Sequence, residues 1–475
     1  MPPPPAYWVC RTIEVARVIA RRVLLAVVGA LLGLGLGLTL RQGAPLQAKA
    51  APSLTIALTS NTKGVLESCG CGAIKFGGVP ERAQMIVDLR RQLGSSLLVV
   101  DSGDTFCFGD GPQKDSAMAQ ALVLSGCQAV NFGDEEAAIG LQILRQAAPA
   151  SQFPWVATNL LDEATGKPPF PTSRVIAAGP VKVGVMGVLP PDWRASRPSS
   201  GPDDLLVTDP VAAVAREAAA LRGKCQVLLL LAHTSQRLAR QIVDAVPGIT
   251  LVAGGEIITN VPHAGPFGGS YFAQGEGYSR NLMLVTLHPV GGAWRVAAAT
   301  TRRNVYKSKR YPPVAKVAQK YVVTSSKALE ELISRTYGKS PLYEGDEKCL
   351  SCHPLQHAHW KTTRHPQAWE TLKQAGHRYD PDCLGCHTTG EPGKPSVALK
   401  GVQCEACHGP FAQHSKFPQT RPPSDEAWAK VCTTCHNQQR SPTFSIGEYL
   451  PQVKHQAPAP PPAEAPAAPA PSSSP

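Results

Sequence analysis

Four copies of the pentapeptide Cys-x-x-Cys-His, at Cys349–His353, Cys383–His387, Cys404–His408 and Cys432–His436, constrain this chain more than any other feature. Two thiols three residues apart, followed at once by an imidazole, form the attachment signature of a c-type haem: the cysteines add to the porphyrin vinyls and the histidine ligates the iron. At the chain's cysteine and histidine frequencies about 0.01 such pentapeptides would arise by chance. Zinc ribbons also use Cys-x-x-Cys, but they do not need a histidine after every pair. The spacing predicts four covalent haems, held through Cys349, Cys352, Cys383, Cys386, Cys404, Cys407, Cys432 and Cys435, with His353, His387, His408 and His436 as proximal ligands.

The segment that carries them, 343–455, is short for four haems and lacks regular apolar periodicity, so the porphyrins themselves must form its core. Methionine occurs at 1, 85, 118, 186 and 283 and nowhere later, which removes the axial ligand that raises potential in ordinary cytochromes c. The spare histidines there, His357, His359, His365, His377, His414 and His455, permit bis-histidine ligation and low potentials. The expectation is electron transfer. If one iron lacks a distal ligand, the alternative is a haem reductase or oxidase of small nitrogen compounds.

The formal net charge of +12 raises the question of nucleic acid. Haem propionates would offset much of it and no basic run is interleaved with stacking aromatics, so nucleic acid is excluded as a partner. Arg11, Arg17, Arg21 and Arg22 precede the apolar run Val23–Leu40 and then Ala48-Lys49-Ala50. That order reads as a secretory signal, or as an uncleaved membrane anchor because both run and spacer are long. Either way export is expected, to the bacterial periplasm or the periplasmic face of the inner membrane, where the cytochrome c maturation machinery attaches haem. The expected partners are that machinery and periplasmic or membrane redox proteins.

Between these ends the chain alternates strand and helix. Leu54–Leu58, Leu97–Val100, Val181–Val188, Val227–Leu231 and Ile249–Val252 read as buried strands, with helices at Pro80–Leu93 and Pro210–Arg222, hence an α/β fold. Gly94 marks a helix end, and Leu282–Leu287 with Trp294–Ala299 flank Gly291-Gly292 as a hairpin. His263 and His288 read as ordinary loop or surface residues, and Gly265–Gly269 lacks the lysine and following helix of a phosphate loop. The organisation predicted is 1–50 signal or anchor, 51–305 α/β domain, 306–342 helical linker, 343–455 haem domain and 456–475 a disordered tail of proline, alanine and serine.

The run Cys383-Leu-Gly-Cys386-His387-Thr-Thr-Gly390, then Gly401-Val-Gln-Cys404-Glu-Ala-Cys407-His408-Gly-Pro410 and His414, resembles the tetrahaem cytochrome c-554 type. Trp360-Lys-Thr-Thr-Arg-His365 and Tyr449 with His455 are similar to that family too. The resemblance implies His365, His414 and His455 as distal ligands, with the fourth among His357, His359 and His377.

Residues 54 to about 300 resemble the 5′-nucleotidase branch of the calcineurin-like metallophosphoesterases. The resemblance rests on Thr59–Glu67, Gly77-Gly78, Val99–Asp104, Asn131–Glu135, Leu231–His233 and Gly254–Glu256. It implies an α/β sandwich ahead of a mostly helical and irregular multihaem domain. The family holds two metal ions that activate water and clamp a phosphoryl group. Its Asp-x-His is here Asn61-Thr62-Lys63, its Gly-Asn-His-Glu is Gly133-Asp134-Glu135-Glu136, and its Gly-His-x-His is Gly255-Glu256-Ile257-Ile258. Only Asp104 and His233 match directly. With oxygens from Asp134 and Glu256 a single hard-metal site stays open, whereas an intact two-metal hydrolase of nucleotides or sulfur esters is disfavoured.

Cys69 and Cys71, in the loop after the first strand, and Cys107, after the second, are placed to converge at the carboxyl ends of strands. They are candidates for a thiol or soft-metal site, with a structural disulfide as the equal alternative. Cys127 and Cys225 each precede a strand and are expected either to form a disulfide between neighbours or to remain free and buried.

Overall fold

The computed structural model describes residues 52–68, 75–195, 201–255, 261–336, 342–375, 377, 380–391, 394–410, 425–437 and 440–455. The first part begins β1 (Leu54–Thr59), α1 (Val79–Leu93), β2 (Leu97–Asp101), α2 (Pro112–Leu124), β3 (Ala129–Asn131), α3 (Asp134–Ile139), α4 (Leu141–Ala147), β4 (Trp155–Val156) and β5 (Leu160–Asp162). It continues through β6 (Ser173–Ala178), β7 (Val181–Val188), β8 (Leu205–Val207), α5 (Pro210–Leu221), β9 (Val227–Ala232), α6 (Gln236–Ala245) and β10 (Leu251–Gly254). The hairpin strands β11 (His263–Phe267) and β12 (Ser270–Gln274) and the longer β13 (Asn281–Val290) and β14 (Ala293–Arg303) complete it.

Two six-stranded sheets result, ordered β14-β13-β1-β2-β3-β4 and β11-β12-β10-β9-β7-β6. Within them β1 through β4 run parallel, as do β7, β9, β10 and β12, while β13 pairs antiparallel with β1. Leu54, Ile56 and Leu58 of β1 join Val183 and Val185 of β7 and Leu229 and Leu231 of β9 in the core between the sheets. Ala57 faces the other way, onto Ile86 and Leu89 of α1. Burial on both faces explains why these strands are mostly apolar on both sides, with the exposed Lys182 near the start of β7 an exception. Helices α5 and α6 cover the outer face of the second sheet. The sandwich expected from the sequence is therefore present. β10 starts at Leu251, two residues later than the apolar run, and the closing hairpin extends to Asn281 and Arg303.

Local chemistry fixes the ends. Asp209 caps α5 by accepting the N–H groups of Val211 at 2.7 Å and Ala212 at 3.1 Å, with Pro210 as first helical residue. Gly94 ends α1 at a φ of +59°, which a side chain would resist. Trp155 is wholly buried among Phe106, Phe132, Phe153 and Phe170, at ring-centre distances from 4.6 to 5.9 Å, and donates Nε1–H to the Ala148 carbonyl at 2.8 Å. Asn304 is a latch: its amide donates to the carbonyls of Gly77, Gly78 and Ser279 at 2.7–2.9 Å, closing the segment after β1 onto the end of β14.

Cys127 and Cys225 are free, and the disulfide offered for them does not form. Cys127 precedes β3 of the first sheet and Cys225 precedes β9 of the second, so their strands are not neighbours. Each lies against apolar side chains as a small hydrophobe.

Helix α7 (Pro312–Thr336) is more than a spacer, because Val314 and Ala318 are fully buried in the core that holds α2. Beyond it come α8 (Asp346–Leu350), α9 (Pro354–Thr362), α10 (Ala368–Ala375), α11 (Pro381–His387), the hairpin β15 (Thr388–Glu391) and β16 (Lys394–Lys400), α12 (Cys404–His408), α13 (Asp425–Cys435) and α14 (Ile446–Val453). The one apolar cluster in this stretch, among the described residues, is Trp369, Leu372 and Leu384. Polar ties substitute for it: Glu405 accepts the N–H groups of Glu344 and Gly345 at 2.9 and 2.7 Å, and Trp360 donates to the Val402 carbonyl at 2.9 Å. No helix among the described residues is long and apolar enough to cross a membrane.

Candidate functional site

Every Cys-x-x-Cys-His motif lies on a short helix or at its end: the first at α8, the second on α11, the third as α12, the fourth closing α13. The i→i−4 bonds His353 N–H to Cys349 at 2.9 Å and His436 N–H to Cys432 at 2.8 Å show the helical turn. That turn puts both sulfurs and the imidazole on one face. All eight motif cysteines are free of disulfides. Sulfurs of different motifs meet: Cys349 shares a hydrogen bond with Cys404, and Cys386 with Cys435.

The histidines sort by what holds them. His387 Nδ1 lies 2.7 Å from the Ala368 carbonyl and 3.3 Å from Thr371 Oγ1, and His436 Nδ1 lies 3.1 Å from Ser441 Oγ. A backbone acceptor on Nδ1 fixes the tautomer and leaves Nε2 for a metal. His455 stacks on His408 with ring centres 5.7 Å apart, and His365 faces His436 at 6.3 Å. Each pair brings two imidazoles close together, so these residues would be candidates to hold a haem iron, which would supply one-electron chemistry. Burial, and for His365 also the neighbouring His436, pushes both rings of that pair below the ordinary histidine range, toward the neutral form that binds metal. Nδ1 of His359 and of His455 is buried with no hydrogen-bond partner. His357 and His377 are instead engaged by carboxylates, Asp346 at 3.0 Å and Asp380 at 3.1 Å. His414 lies outside the described residues. The donor set fits covalent haem.

The second centre sits where β1, β2, β3 and β9 end. Asn61, Lys63 and Asp104 adopt φ of +50°, +46° and +54°, conformations that cost a non-glycine residue about 1 kcal/mol or more each. Backbone bonds from Asn61 to Gly103 at 2.9 Å and from Lys63 to Asp104 at 2.8 Å hold them there. Lys63 Nζ lies 2.7 Å from Asp104 Oδ2 and 2.7 Å from Glu135 Oε1. Burial works against its charge, but those two carboxylates hold the ammonium well above the ordinary lysine range. His233, buried, has Nε2 2.7 Å from Asp134 and 3.4 Å from Asp104. Against burial, Asp104 and Asp134 push it up to about 9, and bonding to His233 pulls the Asp134 carboxyl well down despite burial. Glu136 accepts the N–H groups of Asp104, Thr105, Phe106 and Gly133 at 2.7–3.0 Å, bracing the turn after β2, while burial and Asp104 push its carboxyl up to about 8.

Among the described residues, the donor set does not fit two metal ions: the Lys63 ammonium bridges Asp104 and Glu135, and Asp104, Asp134 and His233, whose ligating atoms lie within 4.8 Å of one another, form a single cluster of three donors. Glu256, Cys69 and Cys71 lie outside the described residues. Cys107 is half-buried beside Gly64, and burial with Asp110 and Glu135 pushes its thiol up to about 12, the opposite of a reactive thiolate. Sequence reasoning missed Glu135 as the partner of Lys63; the run of three acids, Asp134-Glu135-Glu136, was its only local trace.

Residues 348–409 match the family described as cytochrome c554 and c-prime. Cytochrome c-554 of Nitrosomonas europaea is 38% identical over 90 residues, covering 14% of this chain and 38% of that protein. Among solved structures, the sulfate thiohydrolase SoxB of Thermus thermophilus, in complex with glycerol, is similar at a TM-score of 0.50 and 17% identity, over 62% of this chain and 63% of that one. A 5′-nucleotidase precursor from Thermus thermophilus is similar at 0.51 and 16%, over 62% and 61%. The chain thus spans less than two thirds of each of these relatives. The chain is accordingly similar to cytochrome c554 over residues 348–409, after a region with the fold of 5′-nucleotidase-like phosphoesterases.

Proposed function

We propose that the chain is an exported electron-transfer protein with four c-type haems, one on each motif, beside a non-hydrolytic phosphoesterase-like scaffold. The observation that carries this reading is the convergence of motif sulfurs, Cys349 with Cys404 and Cys386 with Cys435, together with the facing imidazoles of His408 and His455 and of His436 and His365. It supports a contiguous arrangement of cofactors with bis-histidine ligation. His455 and His365 are the distal ligands for the third and fourth motifs, and His359, with its unpartnered Nδ1, is the best remaining candidate beside His414. His357 and His377 are held by Asp346 and Asp380 and serve as anchors. When bound, the haems supply one-electron chemistry. The chain's own residues fix imidazole orientation through Ala368 and Ser441, exclude water, and set the charge nearby.

Export rests on the arginine-flanked apolar run near the N-terminus and on covalent haem itself, and it places the redox partners among periplasmic or membrane proteins. Non-hydrolytic character rests on Lys63, a fixed cation on Asp104, one of the carboxylates a metal would need, and on Glu135 beside it. The test is a haem count by pyridine haemochrome and intact mass on the matured protein, with low-temperature EPR and a redox titration. Four haems, low-spin ferric signals and low potentials are expected. Fewer haems, or a high-spin signal that shifts with nitrite or hydroxylamine, would replace this reading by that of a haem enzyme with an open iron.

A further inference from the structure

After the fourth motif the chain turns back over its own histidine. Asn437 accepts the Arg440 N–H on its side chain at 2.9 Å and the Ser441 N–H on its carbonyl at 2.7 Å, the local bonding that makes asparagine a turn residue. Ser441 in turn places Oγ 3.1 Å from His436 Nδ1 and accepts the Phe444 N–H on its carbonyl at 2.9 Å. That last bond brings Phe444 flat onto His436: the ring centres are 4.5 Å apart and the planes differ by 14°. From α14, Tyr449 backs the contact, with its ring 5.2 Å from Phe444 and 6.2 Å from His436. The third motif is built otherwise, since Trp428 meets His408 edge-on, at 5.1 Å and 86°.

An imidazole held to a metal through Nε2 keeps one soft freedom, rotation about that bond. A hydrogen bond at Nδ1 restrains the rotation at a single atom. A flat aromatic ring restrains it over a whole face, because any turn drives an imidazole edge toward the ring and forfeits the stacking contact. We infer that Phe444 is a positioning residue that fixes the plane of His436, so that the haem of the fourth motif has one axial-ligand orientation. The inference rests on the reading above, that Cys432 and Cys435 carry haem. Ser441 orients the same ring through one atom, and Tyr449 acts on it through Phe444. A plane held alike before and after the gain of an electron leaves less of the surroundings to rearrange, which suits a site that only passes electrons on.

The experiment is low-temperature EPR on the full-length, matured protein as wild type, Phe444→Leu, Phe444→Met and Phe444→Tyr, with haem counted in each. A further variant, Cys432→Ala with Cys435→Ala, identifies the component of the fourth motif by its loss. The plane of an axial imidazole sets the g values of low-spin ferric iron. Phe444→Leu should therefore broaden that one component and shift its g values, with the haem count unchanged and the other components unmoved. Phe444→Met, an unbranched apolar replacement, reads the same property if the leucine variant loses haem. Phe444→Tyr, which keeps the ring, should reproduce the wild-type line. A wild-type line in both apolar variants overturns the inference, as does loss of that haem in both. A change spread over several components, or one that Phe444→Tyr shows equally, marks a purely structural role and overturns it too. Peptide mapping that finds no haem on Cys432 and Cys435 of the wild type overturns the underlying reading as well, which separates the two failures.

Discussion

The two regions of this molecule solve the problem of a core in opposite ways. In the α/β region, Leu54, Ile56, Leu229 and Leu231 are fully buried between sheets, and helices close both outer faces. Such a core is sufficient without any cofactor. After α7 the described apolar cluster shrinks to Trp369, Leu372 and Leu384, while histidines and cysteines crowd together. One region sets a lysine among the carboxylates of its buried polar cluster and packs around hydrocarbon. The other has little described hydrocarbon to pack around, so the proposed reading makes it the region whose folding would depend on a cofactor.

The sharpest way to break that contrast is to withhold haem. Produced without maturation machinery, the chain should keep a protease-resistant fragment ending near α7 and lose all protection beyond it. Limited proteolysis with mass spectrometry reads this directly, and a resistant C-terminal region would refute cofactor-dependent folding. Next in size is Lys63→Ala, which strands Asp104 and Glu135 as buried carboxylates and should cost about 3–5 kcal/mol in denaturant unfolding at neutral pH. Part of the loss should return on adding Mn²⁺ to the variant and not to wild type. A variant as stable as wild type would show that the ammonium does not substitute for a metal.

A smaller effect concerns pH. The folded state raises His233 to about 9 from an ordinary value near 6.5. The stability that its charge contributes is therefore complete below about pH 6.5 and lost as pH rises through about 9. Thermal melts of wild type should decline across that window, and His233→Gln should flatten the slope. An unchanged slope would place the titration elsewhere. Smallest is Asp209→Ala, which removes the cap of α5 and should cost about 1 kcal/mol with no effect on any haem signal.

The elements buried on both faces were readable from the chain, since continuous apolar runs such as Val227–Leu231 admit few other fates. The four haem motifs were readable because their chemistry is local, complete within five residues. What escaped was tertiary. Cys127 and Cys225 both precede strands, and nothing in their neighbourhoods says that those strands belong to different sheets. Lys63 could be seen to replace an imidazole, but Glu135 is 72 residues away, and only the fold brings them to 2.7 Å. The sequence left the fourth distal ligand open among His357, His359 and His377, and only the fold shows Asp346 and Asp380 holding two of those three.

Helix α7 carries a consequence for kinetics. Rooted at Val314 and Ala318, it fixes where the cytochrome region begins relative to the sandwich. The sandwich and the second motif, on the helix that α7 packs against, are therefore neighbours at a high effective concentration, set by covalent geometry and independent of how dilute the protein is. Any exchange between them is unimolecular. It should be indifferent to protein concentration and to the salt that would screen two separate partners from meeting, so the ionic-strength dependence measured for this protein will report only on its encounters with others.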